Sequence, residues 1–429
     1  MSSMWQAVVA VGVAWLAAGA RVEGANYAWV GGDGNWSDIA AVTGDQGWDT
    51  SPYPTTGVAH TWTQGGPGAT VTITIDVADA LISDVPISGW DAGHFVIETT
   101  DAVNNKLNLN YYSNGNSRFG VTGSSQSLTV NAPVVLGSGL LGGRLRFMGG
   151  QTGAARVFMN GAISGAGGIG YTKPSATSSY NGNVRLSAAN TFTGDTVWTY
   201  PTSIGGVGGL ELYNTHALQN STLDVGASDQ TGGRVEFIAA GTHVVGGLTG
   251  GRDVDLDGKT VQFGNNNAST TYSGAIDNGA LGKIGTGTLT LSGASIYTGN
   301  TTVDDGTLTL ADGGELLFKI EGDGVNNALL GTGTVNLDGA FRLDLSAASS
   351  TVGHSWMIVD HAGLTETYGA TFAIADFTDQ GDGTWTKTVN PTYEFDQATG
   401  YLTVIPEPGS LLLLGLGGLA LAMRRRFVK

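Results

Sequence analysis

Residues 287–310 read GTLTLSGASIYTGNTTVDDGTLTL, and this stretch decides the fold. Polar and apolar residues alternate at 288–291 and again at 307–310, which is the period of a strand with one face buried. Asp305-Gly306 lies directly before the second burst, and Asp-Gly is a tight-turn signal. The stretch therefore predicts short strands joined by glycine-rich turns.

The same pattern occurs earlier in the chain. Residues 186–196 align with residues 291–301, and Phe192 corresponds to Tyr297. Together the two copies resemble the autotransporter-associated β-strand repeat, well at 287–310 and in degenerate form at 182–200. That resemblance implies a right-handed parallel β-helix, in which stacked coils of roughly 20–25 residues build one continuous core. The aromatic residue of each copy is expected to stack on a neighbouring coil.

The composition fits this architecture. The chain holds 70 Gly among 429 residues, and Gly costs roughly 1 kcal/mol per helical site relative to Ala, so long helices are disfavoured. We predict an all-β chain, a right-handed parallel β-helix (solenoid) with β end caps and a short C-terminal hydrophobic helix. The predicted segments are a signal peptide at 1–24, a Trp-rich N-terminal β cap at 25–100, the solenoid at 101–345, a C-terminal β cap at 346–402 and a sorting signal at 403–429.

The first 24 residues are typical of a secretory leader. An apolar run from Ala7 to Ala18 precedes the small residues Ala18-Gly19-Ala20, although no Lys or Arg precedes the run. A second candidate cleavage site follows Gly24, and the alternative is a buried N-terminal helix. The leader predicts Sec-type export machinery and signal peptidase as partners.

The other end has a more specific pattern. Pro406-Glu407-Pro408 is followed by an apolar run at 411–423 and then by Arg424, Arg425 and Arg426. The prolines keep the chain extended, and the arginines favour the cytoplasmic side of a membrane. A helix over the apolar run would be only about 20 Å long, against a hydrocarbon core of roughly 30 Å. The run is therefore a poor permanent anchor and suits a segment that is held briefly and then removed.

This order of elements resembles the PEP-CTERM sorting signal. The resemblance implies that an exosortase-like membrane protease recognises Pro406, Glu407 and Pro408, and that Arg424, Arg425 and Arg426 set the topology. The alternative is an ordinary single-pass anchor. The repeat, in turn, predicts the shape of the body rather than self-export, because the sorting tail follows it.

Charge and cysteine content exclude several functions. The formal net charge is −17, which repels phosphate backbones, so no nucleic-acid partner is predicted. The chain has no Cys, so disulfides, thiolate metal sites and cysteine nucleophiles are absent. No cofactor is predicted apart from candidate calcium.

Asp253, Asp255 and Asp257 are the candidate calcium ligands. They precede Gly258 in the order D-x-D-x-D-G, which opens a calcium loop, but the twelfth position is Gly264 instead of the closing Glu. The alternative, which the missing ligand favours, is a strand with a solvated acidic face. Arg252 and Lys259 flank this cluster and would be the bases of a polysaccharide lyase.

Two functional hypotheses follow from these patterns. The first is an exported structural or adhesion protein of the cell surface or extracellular matrix, without enzymatic activity, inserted in the membrane transiently by its tail. The second is a secreted carbohydrate-active β-helix protein, either a lyase or a sugar-binding module, with extracellular polysaccharide as its partner. Trp29, Trp36 and Trp48 motivate the second hypothesis, although packing within the cap is the simpler role for them.

Overall fold

The structure is a computed structural model, and the residues it describes belong to strands and their short connections. They are 27–29, 34–35, 60–63, 70–75, 80–81, 85–88, 94–99, 101–109, 118–121, 126–138, 140, 143–148, 156–171, 182–199, 208–228 and 233–406. Within these ranges no α-helix occurs, and the predicted all-β class is confirmed. The signal-peptide residues 1–24 and the hydrophobic run 411–423 lie outside the described residues.

The strands are short, and most have three to five residues. In chain order they are β1 Tyr27–Trp29, β2 Gly34–Asn35, β3 His60–Thr63, β4 Thr70–Ile75, β5 Ala80–Leu81, β6 Val85–Ser88, β7 His94–Thr99, β8 Leu107–Leu109, β9 Arg118–Val121, β10 Ser127–Val130, β11 Val134–Leu136, β12 Arg144–Met148, β13 Arg156–Met159, β14 Ile163–Gly165, β15 Gly168–Tyr171, β16 Val184–Leu186, β17 Thr196–Val197, β18 Leu210–Leu212, β19 Leu218–Asp224, β20 Val235–Phe237, β21 His243–Thr249, β22 Val254–Phe263, β23 Thr270–Tyr272, β24 Ile276–Lys283, β25 Thr288–Leu291, β26 Thr301–Val303, β27 Thr307–Leu310, β28 Glu315–Lys319, β29 Leu329–Gly331, β30 Thr334–Leu337, β31 Ala340–Asp344, β32 Ser355–Met357, β33 Thr365–Tyr368, β34 Ala373–Ile374, β35 Thr378–Asp379, β36 Thr384–Thr388, β37 Thr392–Asp396 and β38 Tyr401–Ile405.

Five of the sheets are parallel and form the faces of a solenoid. Their strand orders are β1-β3-β6-β9-β12-β15-β17-β19-β21-β22-β24-β26-β29, β2-β4-β7-β10-β13-β16-β18-β20, β14-β11-β8-β5, β23-β25-β27-β30-β33 and β28-β31-β34. Successive turns of the chain add one strand to each face, so each coil covers the core of the one before it. This is the parallel solenoid that the repeat predicted.

The coil length varies more than the repeat alone predicts. Thr288 of β25 pairs with Thr307 of β27, so that coil has 19 residues, whereas His94 of β7 pairs with Ser127 of β10, 33 residues on. The expectation of 20–25 residues per coil is therefore too narrow. Part of the variation arises inside strands, since the pairing of β22 with β24 shifts register between Asp255 and Lys259.

Inward-facing residues form straight apolar columns along the solenoid. Leu289 of β25 lies opposite Leu308 of β27, which lies opposite Val335 of β30, and all three side chains are buried. Full burial of each such side chain stabilises the fold by about 1.5–3 kcal/mol. Phe192 and Tyr297, the aromatic residues of the two repeat copies, are buried as well. Period-two alternation in the sequence thus becomes a continuous core.

Two Asp-Gly pairs turn the chain where left-handed backbone is needed. Gly306 has φ of 65°, and a β-carbon there would lie 2.4 Å from the carbonyl oxygen of Gly285 on the preceding coil. Asp257 and Gly258 have φ of 53° and 70°. Glycine adopts this conformation without steric cost. Gly306 is required twice, for its φ and for the close approach of the neighbouring coil.

A buried lysine joins two coils near the repeat. The ammonium of Lys283 donates hydrogen bonds to the carbonyl oxygens of Ile284 (2.8 Å), Gly285 (2.6 Å) and Asp305 (3.1 Å). Burial lowers the pKa of this amine, while the charge of Asp305 raises it. The three carbonyl oxygens therefore solvate the buried ammonium in place of water, and one of them belongs to the neighbouring coil.

An antiparallel sheet follows the solenoid, in the strand order β32-β38-β37-β36-β35. Aromatic rings join it to the last coils, since Phe341 of β31 meets Phe372 at 5.0 Å and Phe395 of β37 at 6.2 Å between ring centroids. Trp356 of β32 is fully buried, and its indole N–H donates to the carbonyl oxygen of Gly322 at 2.6 Å. The open end of the solenoid is covered in this way.

The parallel pairing crosses both predicted cap boundaries. Within 25–100, β1, β3 and β6 belong to the 13-stranded sheet, and Trp29 lies in register with Trp62 of β3. Beyond residue 345, β33 and β34 still pair in parallel with β30 and β31. Trp36 and Trp48 lie outside the described residues. The predicted segment limits stay predictions, and the two flanking regions share strands with the solenoid body.

Candidate functional site

The candidate calcium ligands lie at the start of β22. The Nη2 atom of Arg234 on the preceding coil donates to Asp255 Oδ2 at 3.0 Å and also to Asp257 Oδ1. The second carboxylate oxygen of Asp257 accepts the backbone N–H of Phe237 at 2.8 Å. Two of the three candidate carboxylates therefore already share an arginine counter-ion.

The third carboxylate of the set is engaged separately. Asp253 Oδ1 accepts the backbone N–H of Ala275 at 2.8 Å. Asp277 of β24 lies directly opposite Asp255 on the next coil, and its pKa is raised by burial and by the negative charges of Asp253 and Asp255. Negative charge therefore accumulates around Asp277, whereas Arg234 pairs with the carboxylates of Asp255 and Asp257.

Calcium binding at this cluster stays a prediction. Among the described residues no group of three or more His, Cys, Asp or Glu side chains is arranged to hold a metal ion. Any calcium would have to compete with Arg234 for Asp255 and Asp257. Calorimetric titration of the wild type and of Asp255→Asn with calcium tests the idea. If calcium produces no heat of binding and no change in stability, the site does not bind calcium.

The two candidate lyase bases face backbone carbonyl groups. Arg252 donates to the carbonyl oxygen of Gly233 at 3.4 Å, and burial lowers its pKa. The Lys259 ammonium donates to the carbonyl oxygen of Asp257 at 3.2 Å. Neither contact brings a base and the carboxylates together around an open position.

A second polar cluster lies on the 8-stranded sheet, and sequence analysis missed it. Glu211 of β18 is only 5% exposed and accepts hydrogen bonds from Arg156 Nη1 at 2.9 Å and from Arg185 Nε at 3.2 Å. Its Oε1 atom also accepts from the amide of Asn183 at 2.7 Å. Arg156, Arg185 and Glu211 lie on β13, β16 and β18, and Asn183 directly precedes β16, so one carboxylate holds three successive coils together.

Aromatic side chains flank this cluster on the outer face of the sheet. The Arg185 guanidinium lies 3.9 Å from the ring centroid of Tyr213 and 5.1 Å from that of Phe158. Tyr213 is 40% exposed. Cation–π contacts of this kind contribute roughly 0.5–1 kcal/mol at exposed sites. No sequence signal could have found the cluster, because it depends on the register between coils.

The sorting residues lie at and beyond the end of the described chain. Pro406 follows directly after β38 and is exposed. Glu407, Pro408, Arg424, Arg425 and Arg426 lie outside the described residues, so their predicted roles stay predictions. In the described part of the chain, no helix has the length and apolar character needed to cross a membrane.

Two tyrosines with ionisable hydroxyl groups are buried in the core of the solenoid. The hydroxyl of Tyr272 donates to the carbonyl oxygen of Arg252 at 2.6 Å, and that of Tyr297 lies 2.6 Å from the hydroxyl of Thr301. Burial raises the pKa of both phenols well above their usual value near 10. Folded protein therefore holds these protons more tightly than unfolded protein does.

We expect stability to fall steeply above pH 10. A phenol with a raised folded-state pKa contributes stability that is complete below its unfolded pKa and is lost as pH rises, by about 1.4 kcal/mol per pH unit for each tyrosine. Lys283 acts in the opposite sense, because burial lowers its pKa, but its effect ends near its ordinary pKa of about 10.5. Urea unfolding at pH 9, 10 and 11 measures how the free energy of unfolding falls with pH. The variant Tyr297→Phe should make this fall less steep. Equal stability at pH 9 and 11 would contradict the assignment.

Comparison with known proteins agrees with this geometry. Residues 281–310 match the family described as passenger-associated-transport-repeat, and residues 404–426 match the PEP-CTERM protein-sorting motif. The chain is also 31% identical, over 301 residues, to the adhesin BmaC autotransporter of Brucella suis biovar 1 (strain 1330). That match covers 67% of this chain but only 8% of the relative.

The described residues form a parallel β-solenoid, and a PEP-CTERM sorting motif matches the residues that follow its last described strand. Two segments of this chain therefore match family models, residues 281–310 within the solenoid and residues 404–426 after it. Both resemblances predicted from the sequence are thereby confirmed.

Proposed function

We propose that this protein is exported and delivered to the cell surface or extracellular matrix, where its solenoid acts as a non-enzymatic structural or adhesion element. One observation carries the proposal. The sorting motif at 404–426 begins at the end of β38, the last strand that the structure describes. A rigid body followed at once by a sorting motif is the arrangement expected of a delivered surface module.

The proposed route uses both ends of the chain. Sec-type machinery and signal peptidase would act on residues 1–24, and the apolar run 411–423 would then hold the protein in the membrane. Because a helix of that run is about 20 Å long and the hydrocarbon core is roughly 30 Å thick, the hold would be brief. An exosortase-like protease would act near Pro406-Glu407-Pro408, leaving the acidic body outside.

The adhesion role is supported by the similar protein and by the shape of the body. The relative is named as an adhesin, although this chain spans 8% of its length, so adhesion is a proposal here. The stacked parallel sheets present long, regular outer faces on which polar and aromatic side chains from successive coils lie side by side. Such repetitive faces suit contact with an extended partner.

Fractionation of the source cells tests the proposal. We expect the mature protein in the surface and extracellular fractions, and we expect protease added to intact cells to degrade it, because the body lies outside the membrane. A cytoplasmic protein expressed in the same cells serves as the lysis control. Full-length protein confined to the cytoplasm, with leader and tail both attached, would contradict the proposal.

A further inference from the structure

A row of side chains runs along the solenoid where strands of the 8-stranded sheet end. Its members directly follow β10, β13, β16, β18 and β20, and they are Asn131, Asn160, Ser187, Tyr213 and Ile238. From the second member onward, each backbone N–H donates at 2.9–3.0 Å to the carbonyl oxygen of the residue that precedes its neighbour in the row. The five residues are therefore in register, one per coil, at intervals of about 4.8 Å. We call them the terminal row.

The chemistry of the terminal row changes along its length. Asn131 and Asn160 are exposed, and Asn160 Nδ2 donates to Asn131 Oδ1 at 3.0 Å. Because each amide carries both donor and acceptor atoms, this bond leaves Asn131 Nδ2 and Asn160 Oδ1 without a partner in the described part of the chain. At the other end, Tyr213 is 40% exposed and Ile238 is 38% exposed. The row thus joins hydrogen-bonding amides to an apolar surface.

The Tyr213 ring has a fixed support, because the polar cluster beside it holds Arg185 in place. The Arg185 guanidinium lies 3.9 Å from the Tyr213 ring centroid, and Arg185 Nε donates to the buried Glu211 at 3.2 Å. A side chain that is already ordered loses little conformational freedom when a ligand packs on it. Tyr213 is both supported and exposed, so it is the member of the row best placed to receive a ligand.

The charges beside the terminal row select against an anionic ligand. Arg156 and Arg185 share the carboxylate of Glu211, so both arginines are already paired. Glu236 lies opposite Glu211 on β20, and Glu98 lies on β7, one coil before the first member of the row. An anion would therefore meet neutralised arginines and two carboxylates that repel it. A neutral ligand meets neither obstacle.

We propose that the terminal row binds a neutral polysaccharide chain, which lies along the solenoid with a sugar ring on Tyr213 and hydroxyl groups on Asn131 and Asn160. The C–H face of a neutral sugar is apolar and packs on an aromatic ring, while its hydroxyl groups match the donor and acceptor atoms of amides. A linear glycan repeats one unit along its length, as the row does along successive coils. This ligand class deepens the proposed adhesion role, and the biological meaning of the binding rests on that role.

A protein partner, including a second copy of this chain, fits the terminal row less well. Specific protein interfaces bury about 1,200–2,000 Å² in total around an apolar centre. The exposed apolar part of the row consists of two side chains, Tyr213 and Ile238, and exposed amides continue the row on one side. Such a narrow apolar surface suits a single chain of sugar rings better than a protein surface.

The test measures binding of the purified full-length protein to four soluble probes: laminarin, hydroxyethyl cellulose, dextran and alginate. The first three are neutral glucans that differ in linkage, and alginate is anionic. We expect binding to at least one neutral glucan, with an affinity that changes less than about twofold between low and high salt, because no charged contact is involved. The neutral glucan that binds most tightly identifies the linkage that the terminal row accepts.

The variant Tyr213→Thr should weaken binding to that glucan by about tenfold or more, since the ring on which the sugar packs is lost. Threonine keeps the strand propensity, and urea unfolding checks that the variant is folded. Tyr213→Trp restores an aromatic surface and should bind within about threefold of the wild type. The matched control is Tyr401→Thr, which removes a tyrosine of 41% exposure from β38 and should leave the affinity unchanged.

Four results would overturn the proposal: no binding to any of the neutral glucans, tightest binding to alginate, equal loss in Tyr213→Thr and Tyr401→Thr, or self-association that Tyr213→Thr abolishes. The proposed function fails separately. Glucan binding without surface delivery would overturn the delivery proposal alone, and surface delivery without glucan binding would overturn the role of the terminal row alone.

Discussion

Replacing Glu407 with Ala is expected to leave the tail uncut and to remove most of the protein from the cell surface. Pro406 and Pro408 hold the chain extended, which presents the intervening side chain to a protease, and Glu407 is the charged group of the motif. The exposed Pro406 follows β38 directly, so the motif begins at the end of the last described strand. Mass spectrometry of the mature C-terminus measures the cut, and fractionation measures delivery.

Ser410→Ala is the matched control for this variant. It changes a small side chain just outside the Pro-Glu-Pro motif and should leave both processing and surface abundance unaltered. If Glu407→Ala gave the same mature C-terminus and the same surface abundance, the motif would not be the recognition element. The tail would then act as an ordinary anchor, the alternative that the sequence leaves open.

The fold was predictable because it repeats. The burst at 288–291 and its copy at 307–310 alternate with period two, and in the structure they become β25 and β27, paired in parallel and in register. Asp305-Gly306 predicted the turn, and Gly306 has the left-handed φ that this turn requires. At these residues the strands and the turn that the local sequence favours are the ones that the solenoid requires, because each coil is built from the same strand and turn pattern.

The polar contacts were not predictable, because they connect residues that only the coil register brings together. Lys283 reaches Asp305 on the next coil, and Glu211 reaches Arg156 two coils away. Coil length varies between these points, so no fixed spacing in the sequence reveals the pairs. The Asp253–Asp257 pattern was visible, yet the pairing of two of its members with Arg234 depended on the coil before it.

Glu211→Ala is expected to destabilise the protein by about 3 kcal/mol. Removing one member of a buried ion pair typically costs about 3–5 kcal/mol, and Arg156 and Arg185 are partly exposed, so partial rehydration places the effect at the low end. Asn183 also loses an acceptor. Urea unfolding measures the change, and the difference from the wild type should persist at high salt because the pair is shielded from solvent.

The matched control is Glu321→Ala, which breaks an exposed ion pair with Lys319. Surface pairs contribute about 0–1 kcal/mol, so this variant should unfold almost as the wild type does. Equal effects of the two variants would show that Glu211 does not hold the coils together.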